Sequence, residues 1–335
     1  MKPPRLQLGD TIGVVSPSWG AAGLFPHRLE RGVAALRDMG FSVRLGAHAL
    51  DADSWVSSSA QHRAEDINDM VRDESIRMVL AAIGGDHSCQ LLPHLDFAAI
   101  ASQPKVFMGY SDITVLNIAI WARTGLTTFN GPALITDFAE YPEMLSYSRR
   151  SFERSVMSAA PVGLVEPAIG WTDETLDWSR KLDLTRPRKM QRSTGWRCVR
   201  GGAAEGVLVG GCIESLQHLR GTPYWPDLSG AILFIETSEA APSPAEVDGV
   251  LSDYENMGVF DRLNGMLVGR PMRYSDPDRE LLLEVVRERT EHCGFPVIGE
   301  MDFGHTCPQM VMPIGCRVTM NADRRQVSIE EGAVV

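Results

Sequence analysis

The fold is decided by the stretch Lys105-Val-Phe-Met-Gly-Tyr-Ser-Asp-Ile-Thr-Val-Leu116, in which an apolar strand runs directly into an apolar helix. A serine at such a junction, here Ser111, lies at the carboxyl edge of a sheet, beside backbone N–H groups that the first helical turn leaves unpaired. Those donors can hold an oxyanion, so the position suits a nucleophile. Ser111 or Asp112 could instead serve only as the helix N-cap, since both residue types are favoured there. Taken alone, the segment favours the capping role over the nucleophilic one. The rest of the chain must supply the evidence for a nucleophile.

The first part of the chain alternates short apolar strands with helices, which is typical of a parallel sheet covered by helices on both faces. The predicted strands are Thr11–Ser16, Ser42–Leu45, Ile76–Ala82 and Val106–Gly109, and the predicted helices are His27–Met39, Ala60–Arg72, Gln90–Ala101 and Ile113–Thr124. Ligands of such sheets bind at the carboxyl ends of the strands. Gly84-Gly85 and Ser111 both follow predicted strands, so we expect a site there.

Residues 160–200 differ in composition from the first part of the chain. They contain several prolines and glycines, three tryptophans and few apolar runs. The segment 180–200 carries eight Lys or Arg and one acidic residue, which favours an anionic substrate but is also typical of a solvated loop. Beyond it the pattern is mixed, with predicted strands Ala204–Val209, Ala231–Glu236, Leu263–Val268, 296–299 and 317–330, and predicted helices Pro244–Met257 and Asp278–Cys293. We therefore expect an α/β protein with one domain over 1–155, an inserted substrate loop or linker over 156–200, and a smaller β-rich α+β domain over 201–335.

Composition excludes several classes of protein. The 335 residues carry a net charge of −11, which disfavours generic binding to nucleic acid or to anionic membranes. The amino terminus lacks the apolar segment of a signal peptide, and no window approaches the roughly 18 apolar residues of a membrane helix. The six cysteines match no zinc pattern and are interpreted as free thiols of a cytoplasmic protein. No metal is expected.

His305 and Glu236 are the candidate partners of Ser111. A serine nucleophile needs a base within hydrogen-bond reach, and the base needs an orienting acid. His305 lies in a tight loop after a strand, and Glu236 ends the apolar strand Ala231–Glu236, where a carboxylate should have a partner. Taken singly, His305 could be a surface or packing residue and Glu236 could begin a turn. The GxSxG elbow of α/β-hydrolases is absent, because Ile113 stands two residues after the serine.

Together these motifs resemble the LD-carboxypeptidase family of serine peptidases. The blocks that carry the resemblance are Leu6–Ser18, Ile83–Asp86, Leu91–Asp96, Gly109–Leu116, Phe129–Ala133, Gly206–Gly211, Phe234–Glu236 and Phe303–Thr306. The resemblance implies a Rossmann-like N-terminal domain with a parallel sheet, a smaller β-rich C-terminal domain, and a site assembled across their cleft. It also implies a homodimer and no metal or organic cofactor.

The same resemblance assigns roles to single residues. It implies Ser111 as the nucleophile, His305 as general base and then acid, and Glu236 as the group that orients His305. The oxyanion hole would consist of the backbone N–H groups of Gly85 and Asp112.

The substrate is less sharply defined. The long tryptophan-bearing insertion resembles the microcin C immunity branch, which implies hydrolysis of the amide joining an aminoacyl or peptidyl group to a nucleotide. We expect substrate contacts from Trp171, Trp178, Gly84 and Cys212, although Cys212 stands where the family usually has Asn, so an amide contact is lost. Two alternatives stay open: an LD-carboxypeptidase that releases the terminal D-alanine of murein tetrapeptides, and a non-catalytic ligand-binding protein. In each case the expected partner is a small molecule, not a nucleic acid or a membrane.

Overall fold

A computed structural model describes residues 1–335. Its first sheet has six strands, in the spatial order Met312–Ile314, Thr128–Asn130, Val106–Met108, Ile76–Ala81, Thr11–Val15 and Ser42–Leu45. All pair in parallel except Met312–Ile314, which comes from the far end of the chain and runs antiparallel at the edge. The strand order reverses around Thr11–Val15, whose two neighbours are the next two strands of the chain. Such a reversal opens a crevice at the carboxyl edge of the sheet.

The helices associated with this sheet are Ala21–Leu24, Pro26–Asp38, Ala60–Arg72, Phe97–Ser102, Ile113–Thr124 and Ser146–Val156. Helix Ile113–Thr124 has the predicted bounds. The predicted helix Gln90–Ala101 is wrong: Ser88–His94 forms 3₁₀ turns that contain Pro93, and an α-helix begins only at Phe97, capped by the Asp96 side chain. Proline removes a helical donor and Asp96 offers a new start, so the segment divides. No helix is both long and apolar enough to cross a membrane.

The second sheet has eight strands, in the spatial order Gly163–Val165, Gln326–Ile329, Arg317–Asn321, Ala203–Cys212, Ala231–Glu236, Gly265–Gly269, Val297–Met301 and Arg197–Arg200. The four from Ala203–Cys212 to Val297–Met301 are parallel, and antiparallel strands flank them. The longer helices of this half are Pro244–Asn256 and Asp276–Arg289, and the short one is Ile213–Leu216. The predicted strand 317–330 is two strands, because a turn at 322–325 interrupts it.

The insertion is more ordered than its composition indicates. Gly163–Val165 and Arg197–Arg200 add edge strands to opposite sides of the second sheet, and Gly170–Trp171 pairs with Gln191–Arg192 in a separate ribbon. Strands pair through backbone hydrogen bonds, so amino-acid composition does not reveal this order. Further short helical turns occur at Leu134–Phe138, Leu182–Leu184, Gln217–Leu219 and Phe260–Arg262. One cluster of 83 buried apolar residues runs through both sheets, so the two halves share a core.

Candidate active site

Ser111 is placed by backbone shape. It follows the strand Val106–Met108 with a φ of 64°, a left-handed conformation that residues with a Cβ rarely adopt. Gly84, after the neighbouring strand, approaches so closely that a Cβ on it would lie 2.8 Å from Ser111 Cβ and 3.0 Å from Ser111 Oγ. Only glycine fits this position. The tight junction presents the hydroxyl at the carboxyl edge of the sheet.

Two backbone N–H groups next to Ser111 have no backbone acceptor, those of Gly85 and Asp112. Gly85 has a φ of 147°, and a Cβ there would lie 2.5 Å from Ser18 Oγ. Asp112 is held by Ser88, whose N–H donates to the Asp112 carboxylate at 2.8 Å and whose hydroxyl donates to its carbonyl at 2.7 Å. Fixed and unpaired N–H groups of this kind can stabilise a developing oxyanion.

His305 and Glu236 form a buried pair at the carboxyl ends of the second sheet. The His305 Nδ1 lies 2.7 Å from Glu236 Oε2, so the ring donates Nδ1–H and leaves Nε2 for chemistry. A Cβ on Gly304 would lie 2.6 Å from the same carboxylate oxygen, so glycine permits the approach. Burial acts to lower the pKa of His305, but the charges of Glu236 and Glu239 and the contacts with them raise it to about 10.

Ser111 and His305 line one cavity of about 440 Å³. The ring of Tyr110 packs edge-on against His305, with ring centroids 5.1 Å apart. The structure therefore brings the three predicted residues Ser111, His305 and Glu236 to one place, from two sheets. No three His, Cys, Asp or Glu side chains are grouped as metal ligands.

An aromatic recess lies in the same cavity. Trp178, from the insertion, packs edge-on against Phe25 at 5.4 Å, and Phe25 packs against Trp19 at 5.9 Å. The Arg28 guanidinium lies 4.8 Å from the centre of the Trp178 ring. Rings presented in this way can stack against a planar heteroaromatic group.

The structure does not bring Trp171 and Cys212 to the cavity. Trp171 is buried against the guanidinium groups of Arg270 and Arg279, each 5.0 Å from its ring centre. Cys212 is buried too, and its N–H donates to Thr114 Oγ1 at 3.0 Å. Neither side chain reaches the lining, because each is already enclosed by protein groups. The predicted substrate contacts that do line the cavity are Trp178 and Gly84.

Part of the positive charge predicted for the insertion is neutralised, since its arginines Arg186 and Arg188 make ion pairs near the cavity. Three arginines near the cavity make ion pairs with carboxylates: Arg28 with Asp183 at 3.0 Å, Arg186 with Glu174 at 2.8 Å, and Arg188 with Glu140. Counting charges over 180–200 overestimates the positive electrostatic potential at the cavity, because the paired carboxylates Glu140 and Glu174 lie outside that segment.

The site residues that were missed from the sequence include Phe25 of the recess and Glu239. Glu239 lines the cavity, and its Oε2 lies 3.0 Å from His305 Nε2. Its only signal in the sequence is its position three residues after Glu236, in a turn where an exposed glutamate is ordinary.

The insertion and the His305 loop are attached to each other. Asp302, three residues before His305, accepts hydrogen bonds from Ala168 N at 2.9 Å, Trp196 Nε1 at 2.8 Å and Arg270 Nη1 at 2.8 Å. Beyond the histidine, Cys307 and Thr172 exchange two backbone hydrogen bonds of 2.7 and 2.9 Å. The side chains of Thr175–Trp178 are thereby carried to the cavity wall.

Known proteins resemble this chain along its whole length. Family profiles described as the LD-carboxypeptidase N-terminal and C-terminal domains match residues 12–131 and 205–320. The microcin C7 self-immunity protein MccF of Escherichia coli is 33% identical over 332 residues, covering 97% of this chain and 94% of that protein. The structure of MccF with glutamyl sulfamoyl guanosine superposes with a TM-score of 0.91 at 31% identity, covering 100% of this chain and 99% of the other. MccF with aspartyl sulfamoyl adenosine gives the same TM-score and identity and is covered completely.

Proposed function

This chain belongs to the LD-carboxypeptidase family of serine peptidases and is a hydrolase, and from that premise we propose that it cleaves aminoacyl- or peptidyl-nucleotide antibiotics of the microcin C type. The bond broken is the amide between the acyl group and the nucleotide. One observation carries the proposal: the aromatic recess of Trp178 and Phe25 lies in the same cavity as Ser111 and His305. A nucleobase stacked in the recess would leave its acyl end for the serine.

In the proposed mechanism Ser111 Oγ attacks the carbonyl carbon while His305 Nε2 takes the hydroxyl proton. The N–H groups of Gly85 and Asp112 hold the resulting oxyanion. The C–N bond then breaks, His305 passes its proton to the leaving nitrogen, and an ester on Ser111 remains. Water next gives a proton to His305 and attacks the ester carbon. The bond between that carbon and Ser111 Oγ then breaks, the carboxylic acid leaves, and the proton returns from His305 to Ser111 Oγ. Glu236 keeps Nδ1 protonated and stabilises the imidazolium at both steps.

Two further expectations accompany this proposal. We place the enzyme in the cytoplasm, where its six cysteines would remain free thiols, and we expect a homodimer.

The proposal is tested by incubating the protein and its Ser111→Ala variant with alanyl sulfamoyl adenosine and, separately, with a murein L,D-tetrapeptide. Mass spectrometry follows the products. Serine-dependent release of sulfamoyl adenosine supports the proposed function. Release of D-alanine alone would assign the protein to cell-wall recycling, the alternative that the family name favours. Tight binding of a conjugate without turnover would indicate the non-catalytic alternative.

Two tryptophans provide a matched test of the recess. Trp178→Ala should lower kcat/KM for the nucleoside conjugate roughly tenfold, because stacking contributes about 1–3 kcal/mol per base. Trp171→Ala should instead lower the thermal stability, since this ring is buried and packs against Arg270 and Arg279. Equal kinetic effects of the two changes would count against the recess as the nucleobase site.

A further inference from the structure

The contact between Glu239 and His305 has no place in the proposed mechanism. Glu239 Oε2 lies 3.0 Å from His305 Nε2, the atom that must take the proton of Ser111. The contact is an ion pair outside the direction of a normal hydrogen bond. A neutral imidazole whose Nδ1 carries the proton presents a lone pair at Nε2, which a carboxylate repels. Glu239 therefore stabilises the protonated histidine and opposes its action as a base.

The backbone around Glu239 is fixed, whereas its carboxylate is free to change partner. Glu214 accepts hydrogen bonds from Ser238 N at 3.0 Å and Ser238 Oγ at 2.6 Å. Arg273 Nη1 donates to the main-chain carbonyl of Glu239 at 3.0 Å. The Glu239 side chain itself is 58% exposed and lines the cavity. A rigid turn thus presents a movable negative charge beside the catalytic histidine.

The other carboxylates of the cavity are already occupied. Glu140, Glu174 and Asp183 each pair with an arginine, and Asp177 accepts from the Ser179 hydroxyl at 2.6 Å and from Arg180 N at 3.1 Å. Glu239 alone among them has the catalytic histidine as its cation. Contact with protonated His305 lowers the pKa of Glu239 to about 2. Once His305 becomes neutral, this carboxylate loses its ion-pair partner and is open to a cation of the substrate.

We propose, on the basis of the proposed function, that Glu239 is a specificity-determining residue that binds an ammonium group on the acyl part of the substrate. The acyl carbon must reach Ser111 and the neighbouring His305, which brings the acyl substituents within reach of Glu239. The ammonium replaces the imidazolium as partner of the carboxylate, so His305 can lose its proton and act as a base. An acidic acyl side chain at this position is repelled. The ammonium is either the α-amino group or the end of a lysine-like side chain.

The test uses sulfamoyl adenosine conjugates that differ only in the acyl group. Lysyl against norleucyl isolates a side-chain ammonium, and alanyl against propionyl isolates the α-ammonium. The wild-type protein should prefer the charged member of one pair by about tenfold in kcat/KM, as expected for a hydrogen bond between charged groups. Glu239→Gln should remove that preference. If the side chain is the source, Glu239→Lys should also favour a glutamyl over a lysyl conjugate.

Glu284→Lys is the matched charge control, because Glu284 is exposed on the helix Asp276–Arg289 and lies outside the cavity. It should keep the wild-type preferences. Serine-dependent cleavage with no charge preference, or a preference that survives in Glu239→Gln, would overturn the role of Glu239 and leave the proposed function standing. Failure of the wild-type protein to cleave any conjugate would overturn both.

Discussion

Ser111 and His305 stand at the carboxyl ends of strands in two different sheets, and different forces hold them there. The serine is fixed by backbone shape, through a left-handed φ and the close approach of Gly84. The histidine is fixed by charge, between the buried carboxylate of Glu236 and the movable one of Glu239. Changes of backbone shape should therefore impair catalysis through Ser111, and changes of charge should impair it through His305.

The largest effect should come from removing either reacting group. Ser111→Ala and His305→Ala should each lower kcat by about 10⁴-fold or more, and the double variant should be no worse, because the two groups act as a unit. Single-turnover measurement on a nucleoside conjugate checks this. Additive losses would mean that the two sides work independently.

Glu236→Gln tests the charged side with little change in shape. We expect a loss of about 10³- to 10⁴-fold in kcat, since the amide can neither stabilise an imidazolium nor enforce the tautomer with Nδ1–H. Circular dichroism should show an unchanged fold. An effect below tenfold would show that Glu236 does not orient the base.

Gly84→Ala tests the backbone side without altering any charge. The new Cβ would lie 2.8 Å from Ser111 Cβ, so the serine must shift, and displacements of this order cost roughly 10²-fold in kcat. Gly249→Ala, in the helix Pro244–Asn256 with nothing within 4 Å of the added carbon, is the control. It should leave kcat unchanged and raise stability by about 0.5–1 kcal/mol. Full activity of Gly84→Ala would show that the Ser111 junction tolerates displacement.

The smallest expected effect is a displacement of the pH profile. Both carboxylates favour protonated His305, so kcat/KM should rise with pH and its acid limb should lie above the ordinary histidine pKa of about 6.5. Glu239→Gln removes one negative charge, which lowers the pKa of His305 and should move the limb to lower pH by about one unit. A flat profile between pH 5 and 8 would argue against His305 as the base.

The sequence predicted the features that neighbouring residues determine and missed those that depend on residues far away in the chain. Ser111, Glu236 and His305 all lie at or just after the carboxyl ends of apolar strands, and the parallel arrangement of strands implies where those ends meet. Trp171 and Trp178 could not be told apart, because the arginines that enclose Trp171 lie about a hundred residues away. Glu239 carries no local signal, since its proximity to His305 arises only from the packing of two strand ends.

The pair of backbone hydrogen bonds between Thr172 and Cys307 has a consequence for how the specificity of such an enzyme can change. Its two hydrogen bonds join main-chain atoms, so the attachment does not depend on which side chains the insertion carries. Replacement of Thr175, Leu176 or Trp178 can therefore accumulate while the insertion stays anchored beside His305. Changes in the wall that meets the substrate should therefore alter specificity and leave the His305 loop in place.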